Sequence, residues 1–143
     1  METTSANPKL YTPRQIRLGS FLGGPIASVY FLKENFRVLG KISESRTTLL
    51  WGSALVICLL ASLSFLPAHF PNYVVPLAYS YVAGSICEKW QLQKQAIVDS
   101  GAYQVQSGWR VLGLALLFLL SFLVIGVAGY FCFSALGLVN LTK

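Results

Sequence analysis

Charged positions fall in short clusters, and between them run two long stretches that carry none. From Thr47 to Cys87 there is no Lys, Arg, Asp or Glu and a single His, and from Val111 to Thr142 there is again no charged side chain. A helix needs roughly 20 predominantly apolar residues to cross about 30 Å of hydrocarbon. The first stretch is long enough for two crossings and the second for one. The Leu-rich run 47–66 predicts one transmembrane helix, closed by Pro67. The proline-bounded segment from Pro67 to Asn72 holds no basic residue and predicts a tight turn on the translocated side. A second span is predicted over 72–98, leaving the apolar layer at Glu88-Lys89-Trp90 and continuing as an interfacial helix. Ser107 is a candidate N-cap for a third span over 108–131, with 132–143 as a mostly apolar tail.

The N-terminal part is patterned differently. Residues 1–9 are polar, lack the basic-then-apolar order of a cleavable signal, and predict a flexible N-terminus. A broken helix pair is predicted over 13–39. Thr12 is a good N-cap and Pro13 suits the first helical position, while Gly23-Gly24-Pro25 interrupts the helix and Gly40 closes it. Only Leu18 to Leu32 is free of charge, which is short for an upright span. The segment is therefore either a re-entrant helical hairpin with its tip at Gly23-Gly24-Pro25 or a fourth, kinked span. Lys9, Arg14 and Arg17 precede it; Lys33, Arg37, Lys41 and Arg46 follow. Basic residues favour the cytoplasmic side, so two basic flanks favour the hairpin. The likeness of Pro25-Ile26-Ala27-Ser28-Val29-Tyr30 to Pro76-Leu77-Ala78-Tyr79-Ser80-Tyr81 pulls the other way, since a tandem duplication would make both segments crossings.

Composition agrees with the pattern. Hydrophobic residues make up 55% and charged residues 11%, and the mean hydropathy is +0.60. A soluble domain carries about a quarter charged residues. The expected fold is all-α: a polytopic helical membrane protein, one helical membrane domain over 1–143. With the hairpin, every Lys and Arg except Lys143 lies on one side, and Trp51, Trp90 and Trp109 sit at the same boundary, where indole rings prefer to lie.

Candidate chemistry is sparse. Gly19, Gly23 and Ala27 recur every four residues beside Ser20, Gly24 and Ser28. Small residues at this spacing let helices approach closely in lipid. With Pro25, the set Gly19, Gly23, Gly24, Pro25 and Ala27 forms a candidate helix-packing or pore face. It serves as a homo-oligomer contact, a lined cavity, or internal packing against the 47–66 helix. Glu88 is the acid nearest the apolar layer, but Lys89 adjoins it. His69 has no Cys, Asp or Glu close in sequence, so no metal site is expected. Ser64 and His69 fall at the opposite face from Asp99, which excludes a catalytic triad. Cys58, Cys87 and Cys132 form no C-x-x-C pair and read as small buried hydrophobes. No glycine-rich phosphate loop is present, and no cofactor is expected. The net charge of +6 is dispersed along interfacial segments, where anionic lipid attracts it, so nucleic acid is not an expected partner.

Leu10-Tyr11-Thr12-Pro13-Arg14-Gln15-Ile16, running on to Phe21-Leu22-Gly23-Gly24-Pro25, resembles the opening of small polytopic bacterial inner-membrane proteins of uncharacterised function. Asn72-Tyr73-Val74-Val75-Pro76-Leu77-Ala78-Tyr79 resembles their middle segment. The resemblance implies a bacterial plasma membrane and no particular activity. Two classes of function are left. One is a non-enzymatic membrane protein acting through a protein partner, for example an immunity or accessory protein to a membrane-active toxin. The other is a small oligomeric transporter or channel using the Gly23-Gly24-Pro25 break.

Overall fold

The computed structural model describes residues 7–63, 69, 71, 73–91 and 94–135. It is mostly helical: α1 (Pro13–Val38), α2 (Ile42–Leu63), α3 (Val74–Trp90), the short α4 (Lys94–Asp99) and α5 (Gly108–Ala135). Two helical windows, Ile42–Ser62 and Gly108–Ile125, are long and apolar enough to cross a membrane. Only 6% and 11% of these windows are buried within the chain. A core helix of a water-soluble domain is covered by its neighbours, whereas these present their apolar sides outward. The 17 residues of α3 extend about 25 Å, so three clear spans reduce to two at this level.

α1 is not one rod. At Gly24 the backbone takes φ 80° and ψ −177°, a conformation open essentially only to glycine. The extended ψ also suits a residue that precedes proline. The chain reverses there. Residues 13–23 and 25–38 become two arms of a helical hairpin lying side by side. The Tyr11 and Phe31 rings meet edge to face at 4.8 Å, and a methyl group built on Gly19 would fall 2.5 Å from the Phe31 ring. Twelve residues along an unbroken helix would separate that pair by about 18 Å. Of the two shapes expected for this segment, the chain follows the hairpin rather than a single kinked rod; residues 25–30 and 76–81 are both helical.

The hairpin is the hub. α2, α3 and α5 each pack on α1, and none makes a comparable contact with another. The core follows from this: Ile16, Ala27 and Phe31 of the hairpin, Ala83 and Cys87 of α3, and Val111 and Ala115 of α5 are all buried. The hairpin's open end gathers the beginnings and ends of its neighbours. Ser45 Oγ, in the first turn of α2, donates to the Lys33 carbonyl at 3.0 Å. Lys41 Nζ donates to the Trp90 carbonyl at the end of α3, also at 3.0 Å.

Residues 7–9, expected to be flexible, are tied down. β1 (Lys9–Leu10) pairs in parallel with β2 (Gln104–Val105), Lys9 opposite Gln104 and Leu10 opposite Val105. Asn7 Nδ2 adds a bond to the Gly101 carbonyl at 3.0 Å. The expected interfacial continuation of α3 to residue 98 is broken at Gln91, whose φ of −116° and ψ of −145° end the helix; α4 begins separately at Lys94. Ser107 immediately precedes α5, and its carbonyl accepts from Val111 N at 3.2 Å. α5 runs beyond the expected end at residue 131 to Ala135. Residues 1–6 of the expected flexible N-terminus, most of the expected turn over 67–72, the last residues of the 47–66 run and the tail from 136 onward lie outside the described residues.

Candidate functional site

Two regions of the hairpin stand out: the mouth, where the arms open and polar side chains gather, and the apolar flank of the second arm, between α2 and α3.

At the mouth, Thr12 caps the first arm as its sequence predicts, and Gln15 completes a capping box by accepting from Thr12 N at 3.0 Å. Gln15 Nε2 then reaches the Gln106 carbonyl at 2.6 Å, joining the hairpin to the entrance of α5. Asn35 pins the other arm. Its Oδ1 accepts from Tyr11 N at 2.8 Å, and its Nδ2 donates to Tyr11 O at 2.7 Å and to Gln91 Oε1 at 2.8 Å. Gln91 Nε2 donates in turn to Leu32 O at 2.9 Å. Only one orientation of each amide satisfies this set, because a flipped Asn35 would face two N–H groups toward each other. Asn35 and Tyr11 are 1% and 2% exposed, so the network stands in place of water for groups that water cannot reach. Burial pushes the Tyr11 phenol above its ordinary value.

Beside the mouth, Arg17 docks the first arm on α3. Its Nη2 lies 2.8 Å from Glu88 Oε1, its guanidinium stands 5.4 Å from the Tyr81 ring centre, and its stem presses on Gly84, where any Cβ would collide with it. Tyr81, Gly84 and Glu88 share one face of α3 at helical spacing. Glu88, singled out by sequence as the acid nearest the apolar layer, is thus the partner of a hairpin arginine.

The sequence-derived face is divided among several contacts. Gly19 meets Phe31 of the opposite arm and Val111 of α5. A Cβ on Gly23 would lie 2.7 Å from Ala27 Cβ and 2.9 Å from the Ala115 Cα. The small residues therefore close the hairpin and admit α5, rather than receiving α2. That helix approaches through its own Gly52, where a Cβ would stand 2.7 Å from Val29. Gly24 forms the turn, with nothing within 4 Å of an added Cβ.

Pro25 lines the second region, an apolar groove of about 750 Å³ between α2 and α3, with Pro25, Ser28, Val29 and Leu32 of the hairpin as its floor. Ser28 is 7% exposed, and its buried hydroxyl has no hydrogen-bond partner. Ser20 Oγ is likewise buried and unpaired. Among the described residues no group of three or more His, Cys, Asp or Glu could hold a metal ion. Cys87 is buried, whereas Cys58 and Cys132, expected to be buried, lie exposed on α2 and α5.

Sequence reasoning missed Asn35 and Gln91. A signal existed for Asn35. Once the tip is placed at Gly24, residues nearly equidistant from it face one another across the hairpin, and an amide amid Phe31, Leu32 and Phe36 stands close to opposite Tyr11. Gln91 carried no such signal, because it follows from the end of α3 rather than from the hairpin's symmetry. Comparison with protein-family models, curated proteins and solved structures finds no match.

Proposed function

We propose that this chain is a non-enzymatic, multi-pass protein of the bacterial plasma membrane. In this reading α2, α3 and α5 cross the bilayer, the hairpin re-enters from the cytoplasmic side, and a protein partner is bound through the α2–α3 groove. The observation that carries it is the groove itself. Two apolar helices stand apart on a common floor, leaving about 750 Å³ lined by small and apolar side chains, including Ala78, Val82 and Ser62. In lipid, helices associate through close van der Waals contact and interhelical hydrogen bonds. The orientation rests on charge: the folded hairpin gathers Lys9, Arg14, Arg17, Lys33, Arg37, Lys41 and Arg46 with Lys89 and Arg110 at one end.

The test is site-specific photocrosslinking in native membranes. A photoreactive residue replacing Val82, in the groove, should yield one discrete protein adduct. The same residue replacing Leu117, on an exposed side of α5, should yield none. Lipid adducts alone from both positions, or an adduct of twice the chain's own mass, would overturn the partner reading.

A second reading, an oligomeric transporter or channel at the Gly23-Gly24-Pro25 break, has one observation in its favour. The turn at Gly24 interrupts helical hydrogen bonding at the hairpin tip, a device that transporters use to bind ions and substrates. The tight contacts of Gly19 and Gly23 leave no passage between the arms. Flux into liposomes that Gly24→Ala abolishes would establish this reading.

A further inference from the structure

A second cleft, of about 860 Å³, opens on the basic end between the first arm, the end of α3, α4 and β2. Arg14, Arg17, Gln15, Gln95, Glu88 and Leu18 line it. Its charge is unbalanced. Glu88 is engaged by Arg17, and Arg14 is exposed with no acid partner among the described residues. The donors are side chains, since the capping box already uses the helix end. The polarity of the cleft also has a direction. Arg14, Leu18 and Leu22 lie four residues apart, on one side of the arm. Leu18 and Leu22 are 54% and 42% exposed, and Phe21 beside them is 42% exposed. A cation at the water boundary therefore leads into an apolar track running toward the hairpin tip.

We infer that this cleft is a site for an anionic phospholipid, with the headgroup phosphate at Arg14 beside the Arg17–Glu88 pair and an acyl chain along Leu18, Phe21 and Leu22. A guanidinium offers planar, charge-assisted hydrogen bonds to phosphate oxygens. A free phosphate would use the arginine but leave the apolar track empty, so the continuity of the two selects a lipid. The inference rests on the membrane placement proposed above and is independent of the partner groove.

The experiment titrates the full-length, detergent-solubilised chain with phosphatidylglycerol or phosphatidylcholine and counts bound lipid by native mass spectrometry. Phosphatidylglycerol should bind more tightly, and Arg14→Gln should reduce that preference on the order of fivefold, the effect of one cation near an anionic surface. Lys89→Gln, an exposed cation on the same end, should leave the preference intact. Leu18→Gln should weaken both lipids. Millimolar inorganic phosphate should not compete. Equal binding of the two lipids, equal loss in Arg14→Gln and Lys89→Gln, or full competition by phosphate would each overturn the site while leaving the membrane placement standing. Absence of any lipid adduct would overturn both.

Discussion

Replacing Asn35 by alanine removes the pin at the hairpin's mouth. The side chain makes three bonds within 2.7–2.8 Å, two to the Tyr11 backbone and one to Gln91. With Asn35 1% exposed, water has no ready route to the groups left behind. A neutral hydrogen bond contributes about 0.5–1.5 kcal/mol net, and a buried group left unpaired costs roughly 1–3 kcal/mol. The Tyr11 N–H is the costly orphan, since the Tyr11 carbonyl keeps the Cys87 thiol at 3.9 Å and Gln91 is only half-buried. Asn35→Ala should therefore destabilise by about 2–4 kcal/mol. The assay is equilibrium unfolding in mixed micelles with increasing SDS fraction, followed by tryptophan fluorescence; Trp90 adjoins Gln91. Asn35→Asp separates hydrogen bonding from packing, because it keeps the volume and the acceptor for Tyr11 N–H. An ionised carboxylate, however, faces Tyr11 O and Gln91 Oε1 with no proton to give. Its folded-state pKa is thereby raised, so this variant should regain stability as pH falls and its acid becomes a donor. An Asn35→Ala change below about 0.5 kcal/mol, the scale of an ordinary surface substitution, would refute the idea that this network holds the arms together.

Glycines at the tip should fail for different reasons. Gly23→Ala meets the α5 backbone at Ala115 and should cost about 1–3 kcal/mol by overpacking. Gly24→Ala meets nothing and should cost a similar ~1–3 kcal/mol through its backbone conformation alone; a second-site Ala27→Gly change, which removes the Cβ 2.7 Å from the one added at Gly23, should recover part of the first cost and none of the second in the same SDS titration. Cys58 and Cys132 are exposed, yet if lipid covers them they should resist a membrane-impermeant maleimide in intact vesicles and react after detergent is added; rapid labelling in intact vesicles would refute their placement in lipid. Tyr11 should add an alkaline limb to stability. Its folded pKa lies above the ordinary value near 10.0, so the contribution is full below that pH and is lost as pH rises through the folded pKa. Melting curves between pH 8 and 11 should accordingly fall less steeply for Tyr11→Phe than for the parent chain.

The elements that repeat were legible in the sequence, and the contacts that join them were not. Thr12-Pro13 announced the start of α1 because capping is local chemistry, and Gly24-Pro25 announced its break because both residues restrict the backbone directly. α2 and α5 were marked by uninterrupted apolar runs. The small-residue rows left a homo-oligomer contact, a lined cavity and packing against α2 open. Spacing along one helix says that something packs there without saying what, and here the opposite arm and α5 fill the place. β1 and β2 are two residues each and too short for any period to register; their pairing follows only once the hairpin brings residue 10 beside residue 105. The Arg17–Glu88 pair joins positions far apart in the chain, which no local pattern could couple.

The hairpin's reach explains why packing and exposure divide the molecule. Residues 13–23 extend about 16 Å and residues 25–38 about 21 Å, roughly half to two-thirds of a 30 Å hydrocarbon layer. The 22 residues of α2 and the 28 of α5 extend about 33 and 42 Å. The hub therefore supports α5 only along the half nearest the basic end, where Ile16, Phe31, Cys87 and Val111 are buried; past Ala115, Leu116, Leu120 and Val124 on α5 are exposed, while α2 carries exposed large side chains along its length, from Leu50 and Trp51 to Leu55 and Ile57. The α2–α3 groove reaches into that unsupported half, through Ser62 and Ala78. In the proposed placement, folding strength and the proposed partner contact are then separable along the membrane normal. Substitutions at the mouth should change unfolding in isolation, whereas Ala78→Leu or Ser62→Leu should leave unfolding within about 0.5 kcal/mol, as exposed positions generally do, and still remove the crosslinked partner. Destabilisation of the isolated chain by these two changes would mean that α2 and α3 already rely on each other there, and the groove would then be no place for a third helix.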